Sequence, residues 1–288
     1  MFYPSNRKYI IIFVLLISSF CKSQNFYKNR ALYVDNFATI LGSNHLENEL
    51  LEFSKNHKIN TLILYDLNKI HKRFHLGDST KNHLLANFIR KAKTNFNIAK
   101  VSASGESGSF FIEAIHPYNI SRKEAIERFD IYNLEYEYWN EKESLNEGYY
   151  CNEYLKKAQL PCDRKNSFKY FIESLFVMKN LSEELTSTIE IEAYIGNFND
   201  KEVKEISEHV DRLLVHDYVR DANRNFIYIK ERLDLLDKIK STIKLSVLYS
   251  SEMKFMGKWF ADHKIHEAEV KFFQQLEKNN ISLKEHLN

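Results

Sequence analysis

Apolar and polar positions alternate in short runs along this chain, and between those runs the apolar positions recur at helical spacing. The period-two runs predict strands at 31–35, 60–67, 98–104, 131–139, 189–195, 211–219 and 243–249. Helical spacing predicts helices over 44–57, 80–95, 121–128, 166–186, 200–209 and 226–241. In the fourth of these, Phe168, Phe171, Ile172, Leu175 and Phe176 fall on one stripe. Strands alternating with helices imply parallel pairing through right-handed crossovers, and so either a doubly wound sheet or a (β/α)8 TIM-type barrel.

The strand faces choose between the two. Strands covered by helices on both sides are apolar on both sides, but several here are polar on one. In 131–139, Asn133, Glu135 and Glu137 alternate with Tyr132, Leu134, Tyr136 and Tyr138. In 189–195, Glu190, Glu192 and Tyr194 oppose Ile189, Ile191, Ala193 and Ile195. Tyr33 and Asp35 oppose Leu32 and Val34, and Ser102 and Ser104 lead to Glu106. A doubly wound sheet has no place for these groups. A barrel has one, because inward residues near the C-terminal strand ends line the mouth where sites form. The eighth strand is the weak part of the pattern. After 243–249 the chain is helical in period through Phe255, Met256, Trp259, Phe260, Ile265, Ala268, Phe272 and Leu276, and only "ISLKEHLN" follows. The expectation is an α/β barrel whose eighth strand is incomplete or degenerate.

Composition removes some partners. The 41 basic and 39 acidic residues nearly cancel, so net charge favours neither nucleic acid nor an anionic membrane. Seven Gly and three Pro leave no linker-like stretch, so residues 25–288 read as one domain. Arg7 and Lys8 precede the apolar run 9–20, and "CKSQNFYKNR" follows it. This is a secretory signal over 1–24, too short to span a bilayer comfortably, and it predicts a secreted or periplasmic protein. Cys21 hints at a lipoprotein, but the bulky Phe20 before it argues against one. Export would leave Cys151 and Cys162, which most simply form one local disulfide in an oxidising compartment. Two cysteines without clustered histidines are too few for a zinc site. No metal or other cofactor is called for, and nothing indicates an oligomer, so a monomer is expected.

The stretch "FDIYNLEYE" resembles the fourth-strand signature D-G-x-D-x-D-x-E of glycoside hydrolase family 18, the chitinases and endo-β-N-acetylglucosaminidases. Asp130 falls on the first Asp, Asn133 on the second, Glu135 on the third and Glu137 on the closing Glu. "LLVHDYV" is similar to the family's sixth-strand M-x-Y-D-Y segment, placing His216 on its Tyr and Asp217 on its Asp. The resemblance implies a barrel acting on glycans that contain N-acetylglucosamine, with Glu137 as general acid and Glu135 as the group orienting the substrate's acetamide. Asn133, Glu106, Glu192, Tyr194, His216, Asp217 and Tyr33 would bind substrate. Ile131 for Gly, Asn133 and Glu135 for Asp, and His216 for Tyr depart from the pattern, so a catalytically silent carbohydrate-binding barrel is the alternative. A third reading, from another class, is a metal-dependent phosphodiesterase with Glu135, Glu137, Glu190 and Glu192 as oxygen ligands. The loop 141–165 would form a rim, with Tyr149, Tyr150 and Tyr154 on it.

Overall fold

A computed structural model describes residues 29–185, 188–238 and 243–279. The expected signal segment and the stretch 281–288 lie outside the described residues. Seven strands form one sheet: β1 (Ala31–Val34), β2 (Thr61–Leu64), β3 (Lys100–Gly105), β4 (Ile131–Leu134), β5 (Glu190–Ile195), β6 (Arg212–His216) and β7 (Lys244–Leu248). Every pairing is parallel, and spatial order equals chain order from β1 to β7. A doubly wound sheet reverses direction at a switch point; this one never does. With every crossover of one hand, the helices fall on one face, and the sheet curls around the other.

The two faces follow strand alternation. Leu62, Leu64, Val101, Ala103, Tyr132, Leu134, Ile191, Ala193, Leu213 and Val215 are buried on the helix-covered side. Ser102, Ser104, Asn133, Glu192 and Arg212 are buried on the inner side. The helices Asn44–Asn56, His83–Asn95, Arg164–Glu183, Asp200–Ser207 and Asn225–Lys238 fall where the periodicity predicts them. Helix Asp200–Ser207 starts on a capping box in which Asn199 accepts from Glu202 N and Glu202 accepts from Asn199 N. No described helix is long and apolar enough to cross a membrane.

Two expectations need correcting. The strand expected over 131–139 ends at Leu134. Glu135 still donates its N–H to Gly105 O at 2.8 Å, but the Tyr138 and Asn140 N–H groups then bond to Tyr136 O and Glu137 O, which turns the chain out of the sheet. The helix expected over 121–128 lies earlier: a π-helical turn Phe111–Ile115 runs into helix His116–Ser121, and only a 3-10 turn, Ala125–Glu127, follows. No eighth strand is present among the described residues. Helix Ile265–Asn279 comes after β7, and its Ala268, Phe272 and Leu276 are buried at four-residue intervals. Glu269 on it meets Arg30, just ahead of β1, at 2.6 Å. The connection 141–165 is partly ordered by a helix, Glu141–Ser144, and a π-helical turn, Cys151–Leu155. The expected Cys151–Cys162 disulfide is formed, with Cα atoms 5.2 Å apart.

Candidate acid–base site

Parallel register sets inward side chains opposite one another across neighbouring strands. Ser104 faces Asn133, Asn133 faces Glu192 and Glu192 faces Arg212. Asn133 Nδ2 donates to Glu192 Oε1 at 2.7 Å. Arg212 reaches Glu192 at 3.5 Å and Glu190 at 3.1 Å, and Lys100 closes on Glu190 at 2.6 Å. Burial pushes the Glu192 carboxyl up, with Arg212 and Asn133 opposing. Burial pushes on Glu190 as well, but Lys100 and Arg212 outweigh it and hold that carboxyl below its ordinary value. These groups form a closed polar floor. Asn133 and Glu192, expected to touch substrate, are buried in it and committed to one another.

Glu135 lies one step above the floor, partly open to the mouth. Tyr33 donates its hydroxyl to Glu135, and Ser104 Oγ lies 2.7 Å from the same hydroxyl. Asn133 turns its Nδ2 to Glu192, so its Oδ1 accepts, and Ser104 Oγ donates to it at 2.9 Å. The Ser104 hydroxyl also lies 3.3 Å from Glu135 Oε2, which accepts from it. Burial, and after it the charge of Glu137, lifts the Glu135 pKa from 4.5 to about 8, so the acid form persists at neutral pH.

Glu137 accepts from Asn140 Nδ2 at 3.1 Å and from Tyr194 OH at 3.3 Å. Tyr194 OH also lies 3.2 Å from Tyr218 OH, so Tyr194 links Glu137 to Tyr218. Trp139 stacks on His216 with centroids 5.9 Å apart and planes 17° apart. Both His216 nitrogens lack hydrogen-bond partners among the described residues, and burial, then Arg232, lowers its pKa to about 4. That ring is a neutral wall. Gly196 is required beside it, because a Cβ there would meet His216 Nε2 at 2.2 Å and Trp139 Nε1 at 2.4 Å. At the far rim, Glu106 accepts from Tyr65 at 2.9 Å, from Tyr149 at 2.8 Å and from Tyr154. The last two come from the disulfide-tethered loop.

Strand spacing thus brings Tyr33, Glu135, Glu137, Tyr194, His216 and Glu106 to one mouth. It does not bring Asp217 there. Asp217 continues the alternation of Leu213 and Val215, is fully buried on the helix-covered side, and has no hydrogen-bond partner for either oxygen among the described residues. Burial lifts its pKa to about 8 against the opposing charge of Arg232. Sequence reasoning passed over Tyr65, Trp139, Arg212 and Tyr218. Alternation within 60–67 and 211–219 places Tyr65, Arg212 and Tyr218 on the inner face; Trp139, beyond the strand, left no such signal.

The site defines an α/β protein with an acidic, aromatic cleft at the C-terminal ends of parallel strands. No family model matches the chain, and no curated protein matches it. Two solved structures resemble it distantly. One, from Burkholderia cenocepacia J2315, is provisionally described as a lyase/mutase; it is 10% identical, covers 81% of each chain and has a TM-score of 0.38. Another, from Aquifex aeolicus VF5, is 11% identical, covers 89% of this chain and 90% of its own, and has a TM-score of 0.34.

The resemblance to glycoside hydrolase family 18 is corrected accordingly. It rests on nine residues, and no family model supports it. The geometry explains why the motif misleads. Of the residues the motif assigns to substrate, Asn133 is spent on Glu192, and Asp217 is buried away from the mouth. The glycosidase and chitinase-like readings, and the silent carbohydrate-binding barrel drawn from the same motif, fall together. The phosphodiesterase reading falls as well. Glu190 and Glu192 are consumed by Lys100 and Arg212, and no cluster of three or more metal-ligating side chains occurs among the described residues.

Proposed function

We propose that the mouth is an acid–base site for a small polar molecule that is neutral or cationic where it meets the acids. Glu135 donates the proton; Glu137, two residues on, receives one or balances the charge that develops. The observation carrying this reading is the placement of Glu135, an acid held by Tyr33 and Ser104 at the C-terminal strand ends beside a second carboxylate. Among the described residues no lysine or arginine pairs with Glu106, Glu135 or Glu137, so an anion would meet uncompensated negative charge. The rings of Tyr33, Tyr65, Tyr194, Tyr218 and Trp139 offer apolar and cation-attracting surface around the acids. General acid catalysis of this kind contributes roughly 10²–10⁴-fold.

The barrel is proposed to be of the (β/α)8 type with an incomplete or degenerate eighth strand. The chain is also proposed to act after export, a reading that the Cys151–Cys162 disulfide supports, and as a monomer. The test is a thermal-shift panel of amines, neutral carbonyl compounds, polyols and N-acetylglucosamine oligomers, with the glycan ligand expected from sequence held to the same standard. Any ligand found is then incubated in D2O and followed by NMR. Deuterium uptake at a carbon-bound position, lost in Glu135→Gln and Glu137→Gln, is the expected result. Binding confined to anions, or turnover indifferent to both substitutions, would overturn the reading.

A further inference from the structure

A second cleft opens beside the mouth, and its chemistry is the opposite of the acid site's. Arg220, Met253, Lys254, Phe255 and Lys258 line it, and it encloses about 450 Å³ with its open side included. Both walls are anchored. Arg220 follows Val219 and precedes Ala222, which pack with Met256 and Ala268 in a small buried cluster. Met256, fully buried, pins the opposite wall between Phe255 and Lys258. The turn carrying that wall is closed by Phe255 N and Gly257 N to Glu252 O, each at 2.9 Å, and by Met256 N to Ser250 O at 3.2 Å. Gly257 has no room for a Cβ, which would lie 2.5 Å from Ser251 O. The cleft is therefore set by the fold.

Its charges are unequally spent. Lys254 pairs with Glu252 at 2.9 Å, and its ammonium lies over the Phe255 ring. Arg220 gives only its Nε, to the Lys254 carbonyl at 3.2 Å, so its guanidinium has no acid partner among the described residues. Lys258 has none there either. Beside them Met253 is 64% exposed, an apolar surface without cover. The Phe255 ring packs on Tyr218 at 4.8 Å, and Tyr218 is hydrogen-bonded to Tyr194, the donor to Glu137. The cleft and the acid site thus share one wall.

We propose that this cleft is a subsite for an organic anion, a carboxylate or phosphate carried on an apolar body. Arg220 and Lys258 hold the charge, and Met253 and Phe255 take the apolar part. Resting on the acid–base reading, the ligand is then bipolar: its anionic end lies here and its neutral or cationic end faces Glu135. The subsite is tested without that ligand, by titrating full-length protein carrying 13C-methyl methionine with phenyl phosphate, phenylacetate and, as the neutral counterpart, benzyl alcohol. We expect the Met253 methyl signal, assigned with Met253→Leu, to shift saturably with at least one anion below about 10 mM. Which anion binds more tightly separates phosphate from carboxylate recognition. Arg220→Ala with Lys258→Ala should weaken binding about tenfold or more, while Glu135→Gln leaves it unchanged. No saturable shift, equal binding of benzyl alcohol, or indifference to the double substitution would overturn the subsite. Loss of binding in Glu135→Gln would instead overturn its independence from the acid site.

Discussion

Replacing Glu135 with Gln keeps the shape of the side chain and removes its ionisation, so it isolates the cost of charging that group inside the mouth. The folded-state pKa is raised from 4.5 to about 8. Between those values the folded state holds a proton that the unfolded state has released, and linkage makes stability fall as pH rises through that window. The slope approaches 1.4 kcal/mol per pH unit, so the charged wild type would lose about 5 kcal/mol by pH 8 at the upper bound. The effective dielectric of a protein interior, well above that of a dry one, reduces this to roughly 2–3 kcal/mol. Urea unfolding of wild type and Glu135→Gln from pH 4 to pH 9 is the assay. Near pH 4 the two should be similarly stable; above pH 8 the variant should be the more stable by roughly that amount. Asp217 titrates in the same window but is common to both proteins, so it cancels in the difference. Parallel stability profiles across the whole range would refute the reasoning.

Other consequences follow from the same geometry. Arg212→Met leaves Glu190 and Glu192 without their shared cation and should cost about 3–5 kcal/mol in urea unfolding at pH 7, with part of the loss recovered at acid pH. Gly196→Ala should displace Trp139, read as a change in its fluorescence in a Trp259→Phe background, and should weaken ligand binding at the mouth. Replacing Cys151 and Cys162 with Ser should lower stability by about 2–3 kcal/mol and loosen Tyr149 and Tyr154 from Glu106, seen as faster amide exchange across 149–155.

Much of this arrangement was legible in the sequence, because strand alternation is a strict geometric rule. The two-residue spacing of Asn133, Glu135 and Glu137 placed all three on the inner side, and Tyr136 and Tyr138 pack fully buried on the other. The same rule placed Tyr33, Glu106 and Tyr194. It gave no signal for Trp139, where the chain has left regular pairing. Asp217 was carried to the mouth by a motif match, although its own parity with Leu213 and Val215 sends it under the helices. The separation of floor from mouth was not legible either. Which acids are sealed by Arg212 and Lys100, and which stay open, depends on register between distant strands, and residue types do not report that. The nine-residue resemblance named chemical groups correctly as acids, but not their partners, and partners decide what an acid does.

Acid–base chemistry at the mouth requires Glu135 to be a carboxylic acid at neutral pH in the folded protein. The most direct test is 13C NMR of the protein labelled at glutamate Cδ, with the Glu135 resonance assigned from Glu135→Gln, titrated from pH 3 to pH 10. The expected result is a Cδ transition centred near pH 8, the value to which burial and Glu137 lift the group. A transition centred near the ordinary 4.5, with Glu135 ionised at pH 7, would contradict it.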